Sequence, residues 1–181
     1  QHNDFWDYIS SNFRYSYWIP GNHEYYYSDI LERSGSFTEK LRSNVFLVNN
    51  NSIVQDNVKF IFTTLWTSLS EKNRFTIQQN LSDFSVIKNQ GKKMLPDDYN
   101  RLHQTCLRFL KNELLKNDRG KTVVVTHHVP TMMNYPEKYK GDIINEAFAV
   151  ELDNLIVGSN IDYWIFGHHH QNYCNFVIDK T

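Results

Sequence analysis

The 181-residue chain has only two cysteines, Cys106 and Cys174, too few for a disulfide framework or a thiolate metal cluster. Two reduced thiols, as in a cytoplasmic protein, are expected. Long apolar runs are missing as well. The longest are of the kind Val123-Val124-Val125, far short of the roughly 18 residues that a membrane-spanning helix needs. No basic stretch followed by an apolar one opens the chain, so a secretory signal is not expected and the glycosylation patterns at Asn50 and Asn80 carry little weight. Nor is there an excess of charge: 19 Lys plus Arg against 20 Asp plus Glu leave a net −1. That argues against a large electrostatic footprint on nucleic acid or an anionic membrane. Repeats and low-complexity tracts are absent. What is present is apolar mass, 40% of residues, with 12 Phe, 11 Tyr and 4 Trp. This is enough for one sizeable core, and a single domain over residues 1–181 is expected.

The hydrophobic pattern alternates between strand and helix. Phe5, Tyr8, Ile9 and Phe13 recur at helical spacing. Tyr15 to Ile19 is aromatic and extended, then stops at Pro20-Gly21. Val45 to Val48 and Ser52 to Gln55 flank three asparagines and read as a hairpin. Val58 to Trp66 is a long β-rich run, and Glu71 to Phe84 is ambiguous. The best helix is Pro96 to Lys116, with Tyr99, Leu102, Cys106, Phe109, Leu110 and Leu114 on one face. Lys121 to Thr126 and Asp162 to Phe166 read as strands, Asn145 to Val157 as a second amphipathic helix, and Cys174 to Ile178 as a last strand. Strands apolar on both faces, alternating with helices, predict an α/β fold with a buried, mixed β-sheet flanked by helices. The chain opens on Gln1 inside a helical pattern and stops just after a strand pattern, so it is expected to be part of a longer protein.

Three polar clusters each follow an apolar strand. Tyr17 to Pro20 leads into Gly21-Asn22-His23-Glu24, Val123 to Val125 into Thr126-His127-His128, and Tyr163 to Phe166 into Gly167-His168-His169-His170. Sites in α/β sheets form in the crevice beyond the C-terminal ends of strands. Neutral imidazole is the commonest metal ligand, and imidazoles without thiolates suit Zn, Mn, Fe, Co or Ni. Gly21 and Gly167 allow sharp turns and leave room beside an ion. A lone histidine at a strand end is ordinarily a surface or satisfied residue. Three such clusters after three strands point to a metal site.

In order and spacing these clusters resemble the last three of the five blocks of the calcineurin-like metallophosphoesterase family. Gly21-Asn22-His23-Glu24 and Gly167-His168-His169-His170 are the specific matches, and the resemblance covers about residues 15 to 171. The segment after Glu24 and the loop from Tyr135 to Gly141 look like those of small bacterial or phage-type members. The resemblance implies a sandwich of mixed sheets, two divalent metal ions and hydrolysis of a phosphoester. It implies that Asn22, through its amide oxygen, and His127 and His168 hold one ion, and that His170 turns to the other. On extended backbone His168 and His170 would share a side, with His169 pointing away. His23 is implied as the general acid. Glu24 either orients His23 or is a solvated carboxylate at a helix start. His128 is either support behind the ligands or a substrate contact.

The family's first two blocks, Asp-x-His and Gly-Asp after a strand, have no counterpart. The chain contains no Asp-x-His, and its only Gly-Asp, Gly141-Asp142, lies after the His127 cluster. This departure fits an N-terminally incomplete chain, the favoured expectation, or else a remnant that binds metal poorly. Tyr25, Tyr26 and Tyr27 either line a substrate pocket or pack as core and surface. Lys138 and Lys140 either form a cationic cover over phosphate or a solvated loop. The balance of charge favours a small phosphoester over nucleic acid. A non-catalytic scaffold on the same fold is the alternative, and the presence of His23 beside Asn22 speaks against it.

Overall fold

The computed structural model describes residues 3–116, 120–170 and 174–181. After helix α1 (Asn3–Asn12) and strand β1 (Ser16–Trp18), a 3₁₀ turn at Asn22–Tyr25 and a short α2 (Ile30–Arg33) lead to β2 (Phe37–Arg42) and β3 (Val45–Asn49). β1 pairs parallel and β2 antiparallel with β3, making a three-stranded sheet in the order β1-β3-β2. β4 (Asn51–Gln55) and β5 (Val58–Thr63) form a hairpin, with Asp56 and Asn57 both at positive φ as its two-residue turn requires. α3 (Arg74–Asn80), α4 (Asp83–Val86) and the small hairpin of β6 (Lys88–Asn89) and β7 (Lys92–Lys93) precede the long α5 (Pro96–Leu114). β8 (Lys121–Thr126), α6 (Asp153–Val157) and β9 (Tyr163–Phe166) follow. β5, β8 and β9 run parallel, giving a second sheet in the order β4-β5-β8-β9. The result is an α/β fold of mixed sheets flanked by helices.

Alternation along the strands sorts the layers. Ile61 and Val124 point to one face and pack with Leu110 of α5, Leu152, Ile161 and Trp164. On the other face, Phe62 meets Tyr17 of the small sheet, ring centroids 5.4 Å apart. Leu110 is fully buried, and side chains of this kind each stabilise the fold by about 1.5–3 kcal/mol. A second cluster, around Trp66, Phe84, Met94 and Tyr99, ties α3, α4 and α5 together beside the strand ends.

Four expectations need correction. Val45–Val48 and Ser52–Gln55 do not form a hairpin: β3 and β4 belong to different sheets, and the chain crosses between them at Asn50, φ 44°. Asn49 stabilises the crossing, its side-chain oxygen accepting the Thr64 N–H at 2.8 Å and its Nδ2 donating to the Gly35 carbonyl at 2.8 Å. Strand β5 stops at Thr63 rather than Trp66, because Leu65 and Trp66 are left-handed at φ 69° and 46°. Asn145–Val157 is not one helix. A 3₁₀ turn (Ile143–Ala147) is followed by extended backbone, where Ala149 bridges Val129 and the Val150 N–H donates to the Val129 carbonyl, before α6 begins. That pairing overrides the local helical period. Cys174–Ile178 is not a strand; it makes no ladder among the described residues, and Val177 is exposed.

Candidate metal centre

The three clusters meet at one place. β8 and β9 are parallel neighbours, so their C-terminal ends deliver His127 and His168 side by side. The turn after β1 is drawn to the same edge by Thr64, whose hydroxyl donates to the Pro20 carbonyl at 2.8 Å. Gly21 completes the approach. A Cβ on it would lie 2.3 Å from Cε1 of His127, so only glycine lets the imidazole lie against this backbone. Its φ of −86° is open to any residue, so the demand is for space alone. Gly167 makes no such demand, since a Cβ there would meet nothing nearer than 3.8 Å.

Nε2 of His127 lies 3.1 Å from Oδ1 of Asn22 and 2.9 Å from Nδ1 of His168. Nδ2 of Asn22 donates to the buried carboxylate of Asp83 at 2.9 Å, so it is the amide oxygen that faces the histidines. Burial disfavours the imidazolium forms. The pKa of His127 is lowered to about 4 by burial, with His23 and His170 adding repulsion. That of His168 is lowered to about 3, chiefly by burial and then by His127 and its neighbours. One carbonyl-type oxygen and two neutral imidazoles thus converge with too few protons to satisfy each other. A cation relieves that arrangement. Two ligands about 2.1 Å from one ion and at right angles stand about 3 Å apart. The donor set therefore fits a divalent transition ion.

His128 is not exposed at all, which rules out substrate contact in this structure. Its Nδ1 donates to the Thr64 carbonyl at 3.0 Å. Its ring lies between Trp66 at 5.3 Å and His168 at 4.7 Å, and burial lowers its pKa strongly. One ring nitrogen each of His127, His128 and His168 falls within 4.8 Å of the others, so His128 joins the cluster that could hold a metal. Behind it, Nδ1 of His103 lies within 3.1–3.2 Å of the Leu65 and Trp66 carbonyls, holding the left-handed turn that seats Trp66.

His23 is exposed, its ring 4.6 Å from that of Tyr26 and 6.3 Å from that of His170. His170 is exposed and at φ 51°, and His168 is at φ 69°, so the loop is not extended and the expected alternation of side chains does not apply. The Glu24 carboxylate accepts the Gly21 N–H at 2.6 Å and so braces the turn that carries Asn22 and His23. Tyr25 is not at the site: it is 2% exposed, in the core against Trp66. Tyr27, by contrast, is 84% exposed. Lys140 is paired with Glu137, and Lys138 lies over the ring of Tyr139. Asp83, which carries no signal in the sequence, and Tyr26, expected either in a substrate pocket or in ordinary packing, are built into the site. The Tyr26 hydroxyl donates to Asp83 at 2.8 Å, and burial raises the pKa of both.

The family model of the calcineurin-like phosphoesterases matches residues 1–172, and the chain belongs to that family. It is also 31% identical over 184 residues to an uncharacterized protein, L509, of Acanthamoeba polyphaga mimivirus. That match covers 92% of this chain and 65% of the viral protein, so the chain spans somewhat under two thirds of that relative's length. No solved structure matches. The family comprises phosphoesterases that in general use divalent metals. Among the described residues no helix is long and apolar enough to cross a membrane.

Proposed function

We propose that the protein hydrolyses a small phosphoester, a monoester or a diester, with the help of two divalent transition-metal ions. The observation that carries this reading is the convergence of Asn22 Oδ1, His127 Nε2 and His168 Nδ1, successive atoms about 3 Å apart, where three strand ends meet. These three residues would hold one ion, and His170 would turn toward a second. Ions bound there would supply positive charge to the phosphate oxygens and acidify a water for in-line attack.

The chain's own groups do the rest. His23 stands exposed at the rim, its ring held against Tyr26. As the bond from phosphorus to the leaving oxygen breaks, an imidazole N–H of His23 donates its proton to that oxygen. Glu24 fixes the turn that presents it. His128 and Phe148 lie against the ring of His168, with Trp66 behind His128, and this burial keeps the His168 imidazole neutral and ready to ligate. A net charge of −1 favours a small substrate over nucleic acid.

The test is hydrolysis of a chromogenic phosphomonoester and diester by the full-length protein loaded with Mn²⁺, Co²⁺, Ni²⁺, Zn²⁺ or Fe²⁺. His23→Ala is expected to lower kcat by about 10²–10⁴-fold with metal content nearly unchanged. His168→Ala is expected to lower metal content as well. Absence of turnover with every ion, together with absence of bound metal, would favour a non-catalytic scaffold. Equal loss of metal in both variants would overturn the division between ligand and acid.

A further inference from the structure

We infer that Asp83 is a positioning residue: a single buried carboxylate on α4 sets which end of the Asn22 amide faces the metal centre and anchors the ring that stands against His23. The inference rests on the reading that Asn22 offers its oxygen to an ion. The two ends of an asparagine amide are nearly the same size, and one is a donor and the other an acceptor. Left to itself, Asn22 could present either. If it presented the NH₂ group, donor hydrogens would point at the cation site and repel its occupant.

A carboxylate accepts and never donates, so it selects one orientation. Oδ1 of Asp83 accepts Nδ2 of Asn22 at 2.9 Å across 61 positions of sequence. Asp83 is 1% exposed and Asn22 4%, so water does not compete for either partner. The same Oδ1 accepts the Tyr26 hydroxyl at 2.8 Å, and the Tyr26 ring lies 4.6 Å from His23 at 42°. One oxygen atom thus sets the geometry of the ligand and of the acid beside it. Among the described residues Asp83 has no ion-pair partner. A buried carboxylate without one is costly, and apolar residues of similar volume commonly fit such places at lower cost.

The experiment compares wild type with Asp83→Leu, Asp83→Asn, Asn22→Asp and the double variant Asn22→Asp/Asp83→Asn. Two properties are read: hydrogen exchange of the Asn22 side-chain amide by NMR in metal-free protein, and Mn²⁺ affinity by calorimetry. In wild type the amide protons should exchange slowly. Asp83→Leu should lose that protection and bind Mn²⁺ about 10–100-fold more weakly, the usual cost of removing a partner that orients a ligand. Asp83→Asn can turn either end of its amide toward Asn22, so it should lose part of the protection and bind Mn²⁺ with an affinity between those of wild type and Asp83→Leu. Asn22→Asp sets two carboxylates against each other and should bind poorly, while the double variant, in which the amide donates from position 83, should recover most of the affinity. Unchanged amide exchange and affinity in Asp83→Leu, or no recovery in the double variant, would overturn the inference. If Asp83→Leu does not fold, the Asn22→Asp pair decides. A wild type with a protected amide but no Mn²⁺ binding would refute the metal reading and leave the orienting contact standing.

Discussion

Gly21 shows how much one missing side chain can carry. The Cβ of an alanine would lie 2.3 Å from Cε1 and 2.6 Å from Nδ1 of His127, so the imidazole has to move or the turn has to open. Either motion breaks the approach of His127 Nε2 to Asn22 Oδ1. The backbone conformation at Gly21 is open to alanine, so the cost to the fold is that of the clash, about 1–3 kcal/mol for an overpacked buried contact. Gly21→Ala should therefore lower Mn²⁺ affinity at least about tenfold, by the same reasoning as for other residues that place a ligand, and lower the melting temperature of the metal-free protein by several degrees. An unchanged affinity in calorimetry would show that the ring can yield. In the sequence Gly21 signals only room beside an ion, and the contact with His127 is the physical content of that room. Gly167 carried the same expectation, yet its surroundings are open. The two glycines look alike in sequence, because what differs is a neighbour brought in by the fold. Asp83 was illegible for a similar reason: its partners, Asn22 and Tyr26, lie 61 and 57 positions away.

At the level of elements, α5 is both the plainest signal and the main support of the strand ends. Its apolar face is where the period places it, with Tyr99, Leu102, Cys106 and Leu110 buried. Its start depends on Asp98, whose carboxylate accepts the Leu95 N–H at 2.9 Å, takes a bond from Asn89 at 2.8 Å and pairs with Arg101. Asp98→Ala should cost about 1–2 kcal/mol and lower the melting temperature by several degrees, with Mn²⁺ affinity unchanged because the site lies at the other side of Tyr99. A larger loss of metal binding than of stability would show that α5 and the site are coupled. Long periodic elements such as α5, and apolar strands such as β8, were readable because their own residues decide them. The 145–157 segment was not, since the Phe148 carbonyl accepts the Val129 N–H, the Val150 N–H donates to the Val129 carbonyl and Leu152 donates its N–H to the Pro130 carbonyl. The supposed hairpin around Asn49 to Asn51 failed because turn residues also serve a crossing between sheets. The real hairpin, at Asp56-Asn57, lay just beyond it.

Across the whole molecule the site makes stability depend on pH in a definite direction. His103, His127, His128, His168 and His169 all have pKa values lowered by burial, to about 4 for His127 and about 3 for His168. In the unfolded chain each titrates near 6.5. Between the folded and unfolded values the unfolded state binds more protons, so stability is full above pH 6.5 and falls as the pH drops below it. Each imidazole contributes on the order of 1 kcal/mol per pH unit in that window. Two or three together would remove several kcal/mol by pH 5, against a total of about 5–15 kcal/mol for a typical domain. Asp83 acts with the opposite sign, since burial raises its pKa and protonation relieves a cost. It is one carboxyl group against five imidazoles, so it does not cancel the loss. In metal-free protein the urea midpoint should be level from pH 7 to 8 and fall steeply from 6.5 to 5. Ordinary carboxylates titrate below that range and cannot imitate the effect. A saturating divalent ion should raise the midpoint most at pH 7 and progressively less toward pH 5, as protons compete for the same nitrogens. A midpoint that stays level down to pH 5 would mean that these imidazoles are not held neutral, and the convergence of acceptors on which a cation depends would not exist in solution.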